Sequence, residues 1–216
     1  MDWWIEAAGA SLLRSSRWMS WNLFLAFVPF GLSFYLFRGQ PRRSPFWWLI
    51  LLIFVAFLPN APYVLTDLIH LVREIQGNQT LWFNILVVIP KYVVFVTLGF
   101  GAYMLALVNM GHYLQRRGLR RAIWQAELGL HGLSAIGVYL GRFERLNSWY
   151  LVTRLHQVVD TIPELLERRP IIITGVIFLI FAGLYWLLKE VTLAILLRHR
   201  YYLALKQLAR QEVTLQ

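Results

Sequence analysis

The sequence predicts an all-α integral membrane protein, a bundle of about five transmembrane helices joined by interfacial helical loops. Hydrophobic residues make up 58% of the 216 residues and charged residues only 15%, whereas soluble domains contain about 25% charged residues. The apolar residues stand in long runs, and a run of about 20 such residues can cross a bilayer. The Lys and Arg residues behind the net charge of +10 cluster between these runs, which argues against a nucleic-acid partner.

The whole chain, residues 1–216, is predicted to form one transmembrane domain. The predicted spans are residues 18–37, 45–64, 86–108, 124–141 and 171–188, and residues 198–216 form a basic tail. Pro59 and Pro62 near the end of the second span predict a broken final turn, whose freed backbone groups need protein or water partners. Gly137 and Gly141 in the fourth span form a GxxxG pair, which favours close approach of a neighbouring helix.

The basic residues predict the orientation of the spans. Loops one and three and the tail carry 11 Lys and Arg residues, and the opposite side carries 8. By the positive-inside rule, the N-terminus lies outside and the tail lies in the cytoplasm. In either orientation loops two and four share one face, because two spans separate them.

Two pairs of potential metal ligands lie on that shared face. Asp67 and His70 are three residues apart on a helix that starts near Thr66, and His156 and Asp160 are four apart in a helix-like stretch. Such a set suits a divalent metal such as zinc, manganese or iron, with an open position for water. The alternative is structural: Asp67 or Thr66 caps the helix start, and His70 is an interfacial side chain.

Arg142 and Arg145 follow the fourth span and predict a second kind of contact. A planar guanidinium binds phosphate or carboxylate at two points, so lipid headgroups and lipid-linked phosphates are candidate ligands. The alternative is that one of these arginines pairs with Asp67 or Glu144 and locks loop four onto loop two. Both interpretations predict contact between the two loops.

Three ionisable residues lie within the predicted spans, where such residues are functional candidates by default. Glu127 and His131 are four residues apart in the fourth span, and Lys91 interrupts the third. They are candidates for a proton or ion path. Alternatively, Glu127 and Lys91 reach the interface and His131 bonds a neighbouring helix; a single histidine is no haem signature.

Three blocks of the sequence resemble a known family. They read WNLFLAFVPF at residues 21–30, FLPNAPYVLTDLIH at 57–70 and GVYLGRFERLNSW at 137–149. They resemble the bacterial integral membrane protein family called domain of unknown function 1361, over residues 20–150. Carried over by position, the polar signature of that family falls on Asn60, Tyr63, Thr66, Asp67, His70, Arg142, Arg145, Asn147, Ser148 and Trp149.

The resemblance implies a bacterial inner membrane protein and no known activity. At Tyr150 and Asn84 this chain lacks acids that are usual in the family, which is typical of a divergent or inactive member. Three hypotheses follow: a polar site for a polar, anionic or lipid-linked group, an accessory subunit of a membrane complex, or a small ion or proton transporter. Membrane lipids and other membrane proteins are the expected partners, and the sequence assigns no enzyme class. Cysteine is absent, which excludes disulfides and thiolate metal sites.

Overall fold

The structure is a computed structural model that describes residues 2–39, 43–77, 80–146 and 160–214, together with residues 153 and 156. Across these residues all regular structure is helical, so the predicted all-α fold is confirmed. The helices are α1 (Asp2–Ser33), α2 (Pro45–Phe57), α3 (Asn60–Tyr63), α4 (Leu68–Gln76), α5 (Leu81–Phe83), α6 (Ile89–Arg116), α7 (Ala122–Arg142), α8 (Ile162–Leu165) and α9 (Arg168–Thr214). Two π-helical segments, Phe34–Arg38 and Asn84–Val88, follow α1 and precede α6.

Four segments within the described residues are long and apolar enough to cross a membrane. They are Ser15–Arg38, Pro45–Gln76, Leu81–Arg116 and Arg168–Ile195, and they contain the predicted first, second, third and fifth spans. The predicted fourth span corresponds to α7, which has 21 residues. At about 1.5 Å per residue, α7 is long enough to cross the hydrocarbon region. It is less apolar because it carries Glu127 and His131, and its crossing of the membrane stays a prediction.

Proline breaks the second span into separate helices, as predicted. α2 ends at Phe57, α3 is flanked and interrupted by Pro59 and Pro62, and α4 begins at Leu68. Because proline has no N–H group, the α-helical ladder cannot continue. The N–H groups of Ala61 and of residues 65–70 instead bond carbonyls three residues earlier. This 3₁₀-like winding aligns side chains that are three positions apart.

The π-helical segment after α1 supplies carbonyl groups to other helices. Local widening of the helix in such a segment leaves carbonyls available for partners from elsewhere. The indole Nε1 of Trp47 donates to the carbonyl of Leu36 at 3.3 Å, and Arg116 donates to the carbonyl of Phe37. These bonds tie the end of α1 to α2 and α6.

α6 is the central helix of the bundle. Its buried side chains Phe100, Tyr103 and Leu107 belong to the main apolar core, which also contains side chains from α1, α2, α3, α7 and α9. Gly99 allows close packing against the segment after α3, since a Cβ there would lie 2.7 Å from both methyl groups of Val64. A larger residue at this position would require the Val64 side chain to shift.

The bundle has two ends that differ in composition. At the first, here called the Asp67 end, the Trp18 and His70 rings have centroids 5.0 Å apart, and Arg142 approaches Asp67. Loops two and four therefore meet at this end, as predicted. At the second, here called the arginine end, basic side chains bond to residues of α6 and of the π-helical segment that follows α1. These basic side chains are Arg38, Arg43 and Arg116.

Candidate functional site

The carboxylate of Asp67 is the centre of the polar site at the Asp67 end. Asp67 occupies the N-cap position of α4, but its side chain makes no capping hydrogen bond. Instead its Oδ2 accepts a 2.7 Å hydrogen bond from Nδ2 of Asn22 on α1. The residue is only 2% exposed. The alternative of Asp67 as a helix cap is therefore not supported, because the carboxylate is used in contacts between helices.

Arg142 faces the second oxygen of the same carboxylate. Its Nη1 lies 3.6 Å from Oδ1 of Asp67, and its side chain is 28% exposed. A close charge-assisted hydrogen bond would measure about 2.7–2.9 Å. The two groups thus form an ion pair that is longer than a hydrogen bond, and the Arg142 side chain stays partly exposed.

Two glycines determine how Arg142 reaches this position. A Cβ on Gly137 would lie 2.6 Å from Cγ of Pro59, and a Cβ on Gly141 would lie 3.3 Å from Cε2 of Tyr63. The predicted GxxxG pair therefore packs α7 directly against α3 within the same chain. This close approach carries Arg142 at the end of α7 to Asp67.

A cavity of about 410 Å³ lies between α1, α3 and α7 at this site. That volume is within the range of small-molecule pockets, about 300–1,000 Å³. Indole rings form one wall and the two α7 glycines form another. The lining residues are Trp18, Trp21, Asn22, Leu25, Pro59, Asn60, Tyr63, Asp67, His70, Gly137, Gly141, Arg142 and Leu146.

Half of the predicted polar signature lines this cavity. Those residues are Asn60, Tyr63, Asp67, His70 and Arg142. Thr66 does not line it, and its hydroxyl donates to the carbonyl of Tyr63 at 2.7 Å. Arg145 is exposed and has a backbone φ of 56°. Asn147, Ser148 and Trp149 lie outside the described residues.

The structure does not assemble the predicted metal ligands into one group. His156 and Asp160 are exposed, whereas Asp67 is buried and the His70 ring contacts the Trp18 ring at a tilted angle. Within the part of the chain that the structure describes, no three His, Asp or Glu side chains are placed to hold a metal ion.

Glu127 and His131 belong to a separate buried network between α6, α7 and α9. Oε1 of Glu127 accepts hydrogen bonds from the Tyr185 hydroxyl at 2.5 Å and from Nζ of Lys189 at 2.6 Å. Nδ1 of His131 is 2.7 Å from the hydroxyl of Tyr103. Each polar group in this network contacts another one from a neighbouring helix.

Lys91 is remote from that network. Its Nζ lies 2.8 Å from Oε1 and 2.9 Å from Oε2 of Glu74 and also donates to Ser11 and Ser15. The Lys91 side chain is only 6% exposed, so it is buried against α1 and α4 and does not extend to solvent. Lys91 is 20 positions before Gly111 of α6, the residue beside Glu127, a separation of about 30 Å along a helix. Lys91 and the Glu127 network are thus held by separate sets of partners, and a proton or ion path through the three ionisable residues stays a prediction.

Sequence reasoning missed the partners of these polar residues. Asn22 lies in the first resembling block, where it is a single polar amide within an apolar run. Its polarity in that run is the feature of the sequence that could have indicated a buried partner. Trp18 and Trp21 resemble ordinary interfacial aromatics in sequence. Tyr185, Lys189 and Glu74 carry no local motif that links them to their partners.

Comparison with known proteins identifies the family. The family model described as "Protein of unknown function (DUF1361)" matches residues 21–184, which is most of the chain. The protein belongs to this family. The DUF1361 match extends beyond the predicted limit at residue 150 and includes the first part of α9. It also includes every predicted signature residue and Asn22, whereas Trp18 and Lys189 lie outside it. Searches of curated proteins and of solved structures found no match.

Proposed function

We propose that this protein binds the anionic headgroup of a lipid or lipid-linked molecule in the cavity at the Asp67 end. Arg142 contacts the phosphate or carboxylate, and Asn60, Tyr63 and His70 supply further hydrogen-bonding groups. Asp67 is a positioning residue that holds Arg142 on the cavity wall. The loose ion pair between Asp67 and Arg142 on the wall of the cavity is the observation that carries this proposal.

The charge arrangement supports an anionic ligand. Asp67 has one oxygen bonded to Asn22 and the other facing Arg142 at 3.6 Å, so the carboxylate orients the guanidinium from the buried side. A guanidinium has five N–H donors in a fixed planar fork. Its exposed edge therefore offers donors to a phosphate in two-point geometry. Lysine would keep the charge but not this geometry.

The apolar part of the wall supports a ligand that comes from the membrane. Trp21 is 55% exposed and stacks on Phe24 with ring centroids 5.6 Å apart. Trp18 and Trp21 lie near the start of the Ser15–Arg38 span, the depth at which indole rings occupy the headgroup region. A headgroup at that depth can enter the cavity while its acyl chains stay in the bilayer.

The test is binding of short-chain lipids to the purified protein in mild detergent. Dihexanoyl phosphatidate is expected to bind by calorimetry, and uncharged dihexanoyl glycerol is not. A charged hydrogen bond contributes about 1.5–3 kcal/mol, so Arg142→Gln is expected to weaken binding about 10- to 100-fold. Arg142→Lys is expected to fall between this variant and the unmodified protein.

Arg145→Gln is the matched control, since it removes the same charge from an exposed position outside the cavity. Equal weakening by Arg145→Gln and Arg142→Gln would contradict the proposal. The alternative is a purely structural ion pair that holds loops two and four together. It would be favoured if phosphatidate does not bind and if both Asp67→Asn and Arg142→Gln lower the folding stability.

We further propose that the arginine end faces the cytoplasm of a bacterial inner membrane. Loops one and three carry seven arginines and no acid, from Arg38 to Ser44 and from Arg116 to Arg121. The positive-inside rule supports this orientation, and it leaves the Asp67 end outside. A cysteine introduced at Arg145 should then react with a membrane-impermeant maleimide in whole cells or spheroplasts, and one at Arg120 should not.

The second candidate function is an accessory subunit of a membrane complex. In an apolar stretch of 18 residues within the Arg168–Ile195 segment of α9, only 11% of the residues are buried within the chain. If a Cβ were added to Gly175 or Gly183 on α9, no atom of the described residues would lie within 4 Å of it. These open positions suit the close approach of another helix. Copurification of a partner that is lost in Gly175→Leu and Gly183→Leu would support this function. A monomer of unchanged size at native expression would oppose it.

A further inference from the structure

A second cavity of about 410 Å³ lies at the arginine end, between α2, α6 and α7. It is a groove walled by apolar side chains. Its lining residues are Phe37, Arg43, Trp47, Trp48, Leu51, Phe54, Val55, Met110, Tyr113, Leu114, Ala126, Gly129, Leu130 and Leu133. Along α2 the groove extends from Trp47 to Val55, which corresponds to about 12 Å at 1.5 Å per residue, and Arg43 lies just before this helix.

One arginine stands at the mouth of this groove. Nε of Arg43 donates to the hydroxyl of Tyr113 at 3.1 Å, and its guanidinium carbon lies 5.7 Å from the centroid of the Trp47 ring. These contacts fix the orientation of the side chain, which is exposed. Among the described residues that line the groove, Arg43 is thus the cation, and the rest of the lining is nearly all apolar.

The surroundings of Arg43 favour a negatively charged occupant. Residues 38–44 and 116–121 contain seven arginines and no Asp or Glu. Arg117, Arg120 and Arg121 are exposed. A zwitterionic headgroup would place its ammonium among these cations, whereas a headgroup with a net negative charge would not.

We infer that the groove holds one acyl chain of an anionic phospholipid such as phosphatidylglycerol, with the lipid phosphate on Arg43. The amphipathic shape of the groove matches that of a phospholipid, apolar along α2 and basic at its mouth. This site is independent of the proposed headgroup cavity, because it lies at the opposite end of the bundle. Failure of either proposal therefore leaves the other intact.

Gly129 offers a way to fill the groove without disturbing the protein. A Cβ built on Gly129 has no atom of the described residues within 4 Å, although Gly129 lines the groove. Gly129→Leu should therefore occupy the space of the acyl chain. Gly132→Leu is the matched control. A Cβ on Gly132 would also have no atom of the described residues within 4 Å, but Gly132 does not line the groove.

The experiment is native mass spectrometry of the full-length protein after incubation with phosphatidylglycerol or phosphatidylcholine in mild detergent. All proteins in this test carry Arg142→Gln, which weakens the headgroup site proposed at the Asp67 end. The otherwise unmodified protein and Gly132→Leu are expected to retain one phosphatidylglycerol, and Gly129→Leu should reduce its occupancy at least tenfold. Arg43→Gln is expected to abolish the preference for phosphatidylglycerol over phosphatidylcholine. Equal occupancy in Gly129→Leu and Gly132→Leu, or no headgroup preference in the otherwise unmodified protein, would overturn the inference.

A second measurement does not depend on the variants. Phosphatidylglycerol with a photoreactive diazirine in its acyl chain should crosslink to peptides of α2 and α7 that contain Leu51, Val55 or Leu133. Crosslinks confined to α9 would overturn the inference even if Gly129→Leu failed to fold.

Discussion

Two buried carboxylates in this bundle are paired in different ways. Glu127 accepts hydrogen bonds from Tyr185 at 2.5 Å and from Lys189 at 2.6 Å. Asp67 accepts one close bond from Asn22, while its cation, Arg142, stays 3.6 Å away. Both residues are less than one-tenth exposed. They differ in what lies beside them, since Asp67 lines a cavity of about 410 Å³.

The comparison separates a structural carboxylate from a candidate binding carboxylate. Two close contacts from α9 share one oxygen of Glu127 and join α7 to α9. Beside Asp67, the guanidinium of Arg142 makes no close bond to the carboxylate and lines the cavity. Its N–H donors therefore remain directed at the cavity. In a membrane, where unsatisfied polar groups are costly, an accessible cation on a cavity wall points to a ligand.

The largest expected effect comes from breaking the Glu127 network. Glu127→Gln removes the charge that neutralises Lys189, whose side chain is only 25% exposed. Removal of one partner from a buried ion pair costs about 3–5 kcal/mol. The free energy of unfolding, measured by denaturant titration in mixed micelles, should fall by about 3 kcal/mol.

Two variants complete this test. Glu167→Gln removes an exposed acid and is expected to leave stability unchanged. Glu127→Gln combined with Lys189→Met leaves no unpaired ammonium and should recover part of the loss. If Glu127→Gln is as stable as Glu167→Gln, then the network does not hold α7 against α9.

A smaller effect is expected where α7 contacts α3. Gly137→Ala would place a Cβ 2.6 Å from the rigid ring of Pro59, and such overpacking costs about 1–3 kcal/mol. The displaced α7 should also move Arg142 away from Asp67, so phosphatidate binding should weaken together with stability.

Gly132→Ala serves as the control on the same helix. Among the described residues no atom lies within 4 Å of a Cβ on Gly132, and replacing an open helical glycine by alanine stabilises by about 0.5–1 kcal/mol. Opposite signs for Gly137→Ala and Gly132→Ala are therefore expected. Equal effects would show that helix propensity, not the contact with Pro59, determines the result.

Local composition was sufficient to predict the helices but not their partners. The four apolar segments and the break at Pro59 and Pro62 follow from properties of consecutive residues, and the sequence contains them directly. The placement of loops two and four on one face followed from the topology, and their contact followed from the arginines Arg142 and Arg145 after the fourth span. Asp67 and His70 could be selected because polar residues within apolar surroundings are rare.

The pairings could not be predicted, because they depend on how each helix is rotated about its axis. Asn22 meets Asp67 from 45 residues away, and Tyr185 meets Glu127 from 58 residues away. Lys91 illustrates the same limit. The sequence left open whether it reaches the interface, and it did not indicate the partner, Glu74 on α4, against which Lys91 is buried.

The smallest expected effect on stability is that of Asp67→Asn, and it tests the comparison most directly. The substitution keeps the shape of the side chain and a hydrogen-bond acceptor for Asn22, and its ionic partner Arg142 is partly exposed. The ion pair with Arg142 measures 3.6 Å, against 2.6 Å for Glu127 and Lys189, and a close charge-assisted bond measures about 2.7–2.9 Å, so the free energy of unfolding should change less than in Glu127→Gln. Phosphatidate binding should nevertheless weaken, because Arg142 loses the group that orients it. If Asp67→Asn destabilises the protein as strongly as Glu127→Gln while binding is unchanged, Asp67 is a second structural carboxylate and the cavity beside it is not a headgroup site.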